Sequence, residues 1–288
     1  MNIDWKKFLG GLVILLFLIF VCQEFSKAQN GKIFPLEVSF LDVGQGDAIL
    51  INYLGKYQVL IDGGPNGKQL LSELGRAMPW EDKRIEIIIL THPDADHLSG
   101  LIDILDNYEV DLFLDNGQSA KTQIYQELLS KIENKKIERQ SIFEGSFFSI
   151  GEHLDFFVFN PDEVGKSDAE RNESSVVLKM NFGENSFLFT GDAEMKTEAD
   201  MAEDEEDLRS DWLKIGHHGS KSATSEEFLK VVGPKYAIFS VGEGNRYGHP
   251  NEEVLKKVAD GGVEILRTDK NGTIVVQCRK PQEKCHLE

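Results

Sequence analysis

Apolar and polar residues alternate through positions 36–43, the mark of a strand with one buried face. Gly44-Gln45-Gly46-Asp47 then turns the chain, and residues 48–53 return as a second strand. A third, 57–61, stops at Asp62-Gly63-Gly64-Pro65, so the segment opens as a β-meander. Residues 68–77 have helical spacing. The strand 85–90 ends in the apolar run Ile87-Ile88-Ile89-Leu90 and leads straight into Thr91-His92. Helical spacing resumes over 98–105, a strand follows at 112–115 and a helix at 122–134. The second half is similar in kind. Strands are predicted at 142–147, 153–159, 174–182 and 186–190, then an acid-rich helical stretch at 193–208. A strand at 212–215, a helix at 225–232, a strand at 236–241, a helix at 252–259 and strands at 263–266 and 273–277 complete the pattern. Strand meanders closed by helices in both halves predict an α/β fold with two sheets face to face and helices outside.

One stretch stands apart. Trp5-Lys6-Lys7 is a basic flank, residues 8–22 carry no charge, and Ser26-Lys27-Ala28 resembles a small-x-small cleavage site. The apolar run is shorter than the ~20 residues of a full span. Residues 1–28 therefore read either as a cleaved signal peptide or as an uncleaved membrane anchor. Both readings export the remainder, a single domain at 33–280, to an extracytoplasmic location, secreted or membrane-anchored.

Composition then narrows the chemistry. The net charge of −18 opposes tight binding of polyanions unless the charge is segregated, as the run Glu203-Asp204-Glu205-Glu206-Asp207 partly is. Outside the leader the cysteines are Cys278 and Cys285, which can pair in an oxidising compartment or remain as two thiols near the C-terminus. With so few cysteines, a metal here must be held by histidines and carboxylates.

Those residues cluster. Five of the seven histidines (His92, His97, His217, His218 and His249) fall in three motifs at predicted strand ends, whereas His153 and His286 do not. His92-Pro93-Asp94-Ala95-Asp96-His97 puts four ligand-type side chains on a strand-to-helix turn. Ligands two apart can converge on one ion, while Asp96 and His97 begin the helix and face a second. Such charges beside an apolar strand are costly without a cation. Phe189-Thr190-Gly191-Asp192 ends another apolar strand in a carboxylate suited to bridging two ions. Ile215-Gly216-His217-His218-Gly219-Ser220 offers a nitrogen ligand and a substrate-facing proton donor. Asp62 is placed to orient a ligand imidazole from behind. Asp42 and Asp47 flank a glycine turn as residues of the site edge, and His249, with Tyr247 and Ser220, can contact a scissile group or protonate its leaving oxygen.

Together these motifs resemble the metallo-β-lactamase superfamily, and within it the soluble hydrolase domain of the ComEC/Rec2 competence-protein family. The matching pieces run in order from Phe40-Leu41-Asp42-Val43-Gly44-Gln45-Gly46-Asp47, through Asn172-Glu173-Ser174-Ser175-Val176-Val177, to Arg267-Thr268-Asp269. The resemblance implies an αββα four-layer sandwich with a dinuclear site at one sheet edge. His92 and Asp94 would hold the first metal, and Asp96 and His97 the second. Asp192 would bridge them, and His217 or His218 would complete the second site, with His217 the expected ligand and His218 facing the substrate. Asp94 stands where the superfamily's usual HxHxDH has a histidine, and Asn172 where many members place another. The oxygen-rich first site that results would take zinc or manganese, one or two ions per chain. The implied activity is metal-assisted hydrolysis by a metal-activated hydroxide that Asp96 orients, above all of phosphodiesters, with DNA as substrate. A small-ester or lactone hydrolase and a silent metal-stabilised surface binding module are the competing readings.

Overall fold

A computed structural model describes residues 35–162, 172–203 and 207–288. The leader at 1–28 and positions 204–206 of the acidic run lie outside the described residues. Among the described residues no helix is long and apolar enough to cross a membrane.

Eight strands make the first sheet. They are β1 (Leu36–Phe40), β2 (Ile49–Tyr53), β3 (Tyr57–Ile61), β4 (Arg84–Leu90), β5 (Glu109–Asp115), β6 (Glu138–Ser141), β14 (Ile274–Cys278) and β15 (His286–Leu287). Their order is β15-β14-β1-β2-β3-β4-β5-β6, antiparallel as far as β3 and parallel from β3 to β6. The second sheet holds β7 (Phe147–Ile150), β8 (Leu154–Asn160), β9 (Val177–Phe182), β10 (Asn185–Phe189), β11 (Trp212–Lys214), β12 (Tyr236–Phe239) and β13 (Glu264–Arg267). Here β10 to β13 are parallel and β7 to β10 antiparallel.

Alternation decides which side chains meet between the sheets. In β1, Leu36, Val38 and Phe40 are fully buried and Glu37 points away. They pack on Phe156, Phe182, Phe187, Phe189 and Trp212 of the second sheet. Each such buried aromatic contributes about 1.5–3 kcal/mol. β4 is apolar on both faces for a reason: Ile89 enters this central core, while Ile85, Ile88 and Leu90 meet helices. Those helices are α1 (Gly67–Ala77), α2 (Ala95–Asn107) and α3 (Gln123–Lys135). The outer face of the second sheet is covered by α4 (Met195–Glu203), α5 (Glu226–Val232) and α6 (Glu252–Asp260). The result is four layers, αββα, as the pattern implies.

Some elements differ from the sequence reading. Residues 142–146 form a turn leading into β7 rather than a strand, with Ser146 N donating to Phe143 O. The edge strands β6 and β15 and the short helix α7 (Thr268–Asn271) had no apolar period to announce them. A Cys278–Cys285 disulfide closes the C-terminal end of β14, at the opposite end of β1 from the Asp42–Asp47 turn.

Candidate metal centre

Parallel pairing brings the carboxyl ends of β3, β4, β10, β11 and β12 to one edge of the sandwich, and each delivers a polar residue there. β3 ends at Asp62, β4 at Thr91-His92, β10 at Gly191-Asp192, β11 at the two histidines and β12 at Ser240. α2 starts at the same edge. Asp94 is its N-terminal flanking residue, yet its side chain makes no capping hydrogen bond. An aspartate there normally caps. Instead its Oδ2 lies 3.9 Å from His92 Nε2. Gly100 lets α2 approach: a Cβ there would sit 1.9 Å from Gly63 O. Gly63 N donates to His97 O at 2.6 Å, which ties the helix to the end of β3.

Four imidazoles are anchored through Nδ1. His97 Nδ1 donates to Asp62 Oδ2 at 2.8 Å, and Asp62 also accepts from Thr91 N and Thr91 Oγ1. Because Thr91 gives its proton to Asp62, its Oγ1 is the acceptor for His92 Nδ1 at 3.0 Å. His218 Nδ1 donates to Ser240 O at 2.9 Å and lies 3.3 Å from Asp47 Oδ1. His217 Nδ1 donates to Glu194 Oε1 at 3.0 Å. A carbonyl or carboxylate behind Nδ1 keeps the proton there and leaves Nε2 as a lone-pair donor.

The Nε2 atoms converge. His97 Nε2 is 3.3 Å, His218 Nε2 3.5 Å, His217 Nε2 3.8 Å and His92 Nε2 4.0 Å from Asp192 Oδ2. His218 Nε2 is also 3.5 Å from Asp96 Oδ2. The Nε2 atoms of His92, His97 and His218, and Asp192 Oδ1, are buried without a hydrogen-bond partner. Buried polar atoms are ordinarily satisfied. Three lone pairs and a carboxylate meeting in this way fit a divalent cation. Asp96, His97 and His218 offer atoms within 4.8 Å of one another, as do His92, His97 and Asp192.

The electrostatics carry the same imprint. Burial, and then the neighbouring His97, push His92 down to about 3. His218 is also opposed by burial, but Asp192 and Asp47 outweigh it and lift the imidazole to about 9. Burial works against ionised Asp192 too, yet the surrounding histidines hold it well below the usual carboxylate range. Lys214, 1% exposed, places Nζ 2.5 Å from Asp47 Oδ2, 3.0 Å from Gly191 O and 4.0 Å from Asp192 Oδ1. It is a built-in cation of the cluster.

The edge gathers His92, Asp94, Asp96, His97, Asp192, His217, His218, Asp47 and Asp62. His218 takes the position beside Asp96 expected of His217, since Asp47 and Ser240 pull its ring inward. His217 (φ 45°) and His218 (φ 53°) are both left-handed, a strained arrangement that turns both rings toward the edge. Asn172 donates to Glu194 at 3.2 Å, behind His217. His249 lies at the mouth, its ring 5.6 Å from that of His217, with Tyr247 stacked on it at 5.9 Å. Asp42 serves the backbone instead, its Oδ1 accepting from Gly44 N. Ser220 Oγ accepts from Ser222 N and lies 3.0 Å from Ser222 Oγ, which donates to Glu194 Oε1 behind His217. Sequence reasoning missed Lys214 and Glu194. A lysine inside the otherwise apolar strand Trp212-Leu213-Lys214-Ile215 was a readable signal; Glu194, in a turn, gave none.

The metallo-β-lactamase superfamily model matches residues 41–122. ComE operon protein 3 of Bacillus subtilis (strain 168) is 33% identical over 255 residues, covering 83% of this chain and 32% of that protein. Recombination protein 2 of Haemophilus influenzae is 32% identical over 251 residues, covering 86% of this chain and 29% of that protein. The chain thus spans about a third of the length of these relatives. Igni18, a metallo hydrolase from Ignicoccus hospitalis, shares the fold at a TM-score of 0.55 and 12% identity, over 83% of this chain and 98% of that one. The chain belongs to the metallo-β-lactamase superfamily, within which it resembles the ComEC/Rec2 competence-protein family.

Proposed function

We propose that the chain is an exported metal-dependent phosphodiesterase of the competence-protein type, with a polynucleotide as substrate. The observation that carries this reading is the convergence of buried, partnerless Nε2 atoms on the Asp192 carboxylate. Zinc or manganese held there would supply charge neutralisation and an acidified water. His218, His97, Asp96 and Asp192 would hold one ion, and His92 and Asp94 would face the other.

The chain's own groups have distinct tasks. Asp96, a third exposed at the mouth, orients the attacking water with its free edge. His249 Nδ1 is buried and partnerless beside the cluster, in position to hydrogen-bond the leaving oxygen. Arg246 lies 5.0 Å over the Tyr247 ring and pairs with no carboxylate among the described residues. An unneutralised guanidinium at the mouth of an acidic site supports an anionic substrate. Similarity to a relative named for recombination supports a nucleic-acid one. The Cys278–Cys285 bridge and the basic flank before the apolar run 8–22 support export.

The test incubates purified protein with Mn²⁺ or Zn²⁺ and, in parallel, bis-p-nitrophenyl phosphate, single-stranded DNA and a lactone. Phosphodiester turnover abolished by chelator is expected. Lactone turnover without phosphodiester turnover favours a small-ester hydrolase, and no turnover by a metal-loaded sample favours a binding module. For export, alkylating the protein in intact cells should leave Cys278 and Cys285 unmodified until a reductant is added.

A further inference from the structure

The first site has two obvious ligands, His92 and Asp94, and an asparagine at the position where the superfamily pattern places another histidine. Asn172 faces Glu194 and His217, its Nδ2 lying 3.4 Å from His217 Nδ1. Its Nδ2 donates to Glu194 Oε1 at 3.2 Å. That same oxygen accepts from Ser222 Oγ at 3.0 Å and from His217 Nδ1 at 3.0 Å. Three donors on one carboxylate oxygen fix both Glu194 and the ring it faces. The opposite ring atom, His217 Nε2, is then 3.8 Å from Asp192 Oδ2. From Asp192 Oδ2 it is 4.0 Å to His92 Nε2, and from His92 Nε2 3.9 Å to Asp94 Oδ2.

Two ligands bound tetrahedrally at about 2.1 Å lie roughly 3.4 Å apart. Consecutive atoms in the series His217, Asp192, His92, Asp94 are 3.8–4.0 Å apart, and rotation of the partly exposed His217 and Asp94 side chains would bring all four around one cation. The His217 side chain is 25% exposed, so core packing does not dictate its direction. Its left-handed backbone is nonetheless kept, and it sends His217 toward Asp192 on one side while His218 meets Asp96 on the other.

We infer that His217 is the missing nitrogen ligand of the first site, replacing the histidine absent at 172, and that Glu194 is the residue that positions it. This rests on the metal centre of the proposed function and goes beyond it: the two adjacent histidines divide between the two ions. The oxygen-rich first site thereby regains a nitrogen, and both sites fill.

The test is metal stoichiometry and affinity, measured by calorimetric titration with Zn²⁺ and by elemental analysis of dialysed samples. Wild-type protein should bind two equivalents. His217→Ala should bind one, with the remaining site changed less than about threefold, while His218→Ala should lose the other equivalent. Glu194→Gln is nearly isosteric and keeps the test valid if His217→Ala misfolds. It should weaken one site about 10–100-fold and leave the second unchanged. The inference is overturned if His217→Ala and Glu194→Gln retain two equivalents at wild-type affinity, or if wild-type protein binds only one. A wild-type protein that binds no metal overturns the proposed function as well, which separates the two failures.

Discussion

Replacing Lys214 with methionine isolates the part of the site that works before any metal arrives. The side chain is 1% exposed, and its ammonium lies 2.5 Å from Asp47 Oδ2 and 4.0 Å from Asp192 Oδ1. Lys214→Met keeps most of the volume but leaves Asp47, itself 1% exposed, without its nearest cation. Removing one member of a buried pair costs about 3–5 kcal/mol, because the other charge stays uncompensated. In chelator the variant should lose that much stability in urea unfolding followed by circular dichroism. A divalent ion at 100 times its dissociation constant stabilises by about 2.7 kcal/mol. Without a competing ammonium 4.0 Å from Asp192, the variant should bind the ion more tightly than wild type. Its deficit should therefore shrink when metal is added. A variant within about 1 kcal/mol of wild type in chelator, or a deficit unchanged by metal, refutes the role of Lys214 as an internal counter-cation.

Three further outcomes follow from the same geometry. In chelator, His218 is raised from 6.5 to about 9, so its contribution is complete below pH 6.5 and lost as pH climbs through about 9. Urea midpoints of metal-free protein should fall across that window, and equal midpoints at its two ends would contradict the assignment. Gly100→Ala places a Cβ against Gly63 O, a backbone atom that cannot swing aside, and should cost about 1–3 kcal/mol while weakening metal binding through displaced His97; thermal unfolding and metal titration read both effects. Reducing the Cys278–Cys285 bridge, which spans 7 positions, should cost about 2–3 kcal/mol by thermal unfolding yet leave metal affinity unchanged, since it lies at the far end of β1.

The sequence disclosed the site wherever burial and chemistry conflict within a few residues. The apolar run ending in His92-Pro93-Asp94-Ala95-Asp96-His97 sets four ligand-type side chains against a core, a cost that a bound cation offsets. Asp62 was legible because it closes a neighbouring strand. Local pattern could not show which face a ring presents. The choice between His217 and His218 depends on Ser240 O and Asp47 behind one ring and Glu194 behind the other, contacts that span 22 to 171 positions. The fold followed the same rule. Strands with a buried face were readable, whereas β6, Glu138–Ser141, is polar and exposed and owes its conformation to pairing with β5. Ile142 reads as strand because it is apolar, yet it belongs to a turn whose one buried side chain enters the central core.

Anomalous diffraction from crystals soaked in Mn²⁺ tests the central claim most directly. Two peaks flanking the Asp192 carboxylate are predicted, one against His97 and His218 Nε2 and the other against His92 and His217 Nε2. Peaks elsewhere on the acidic surface, with none at Asp192, would contradict it.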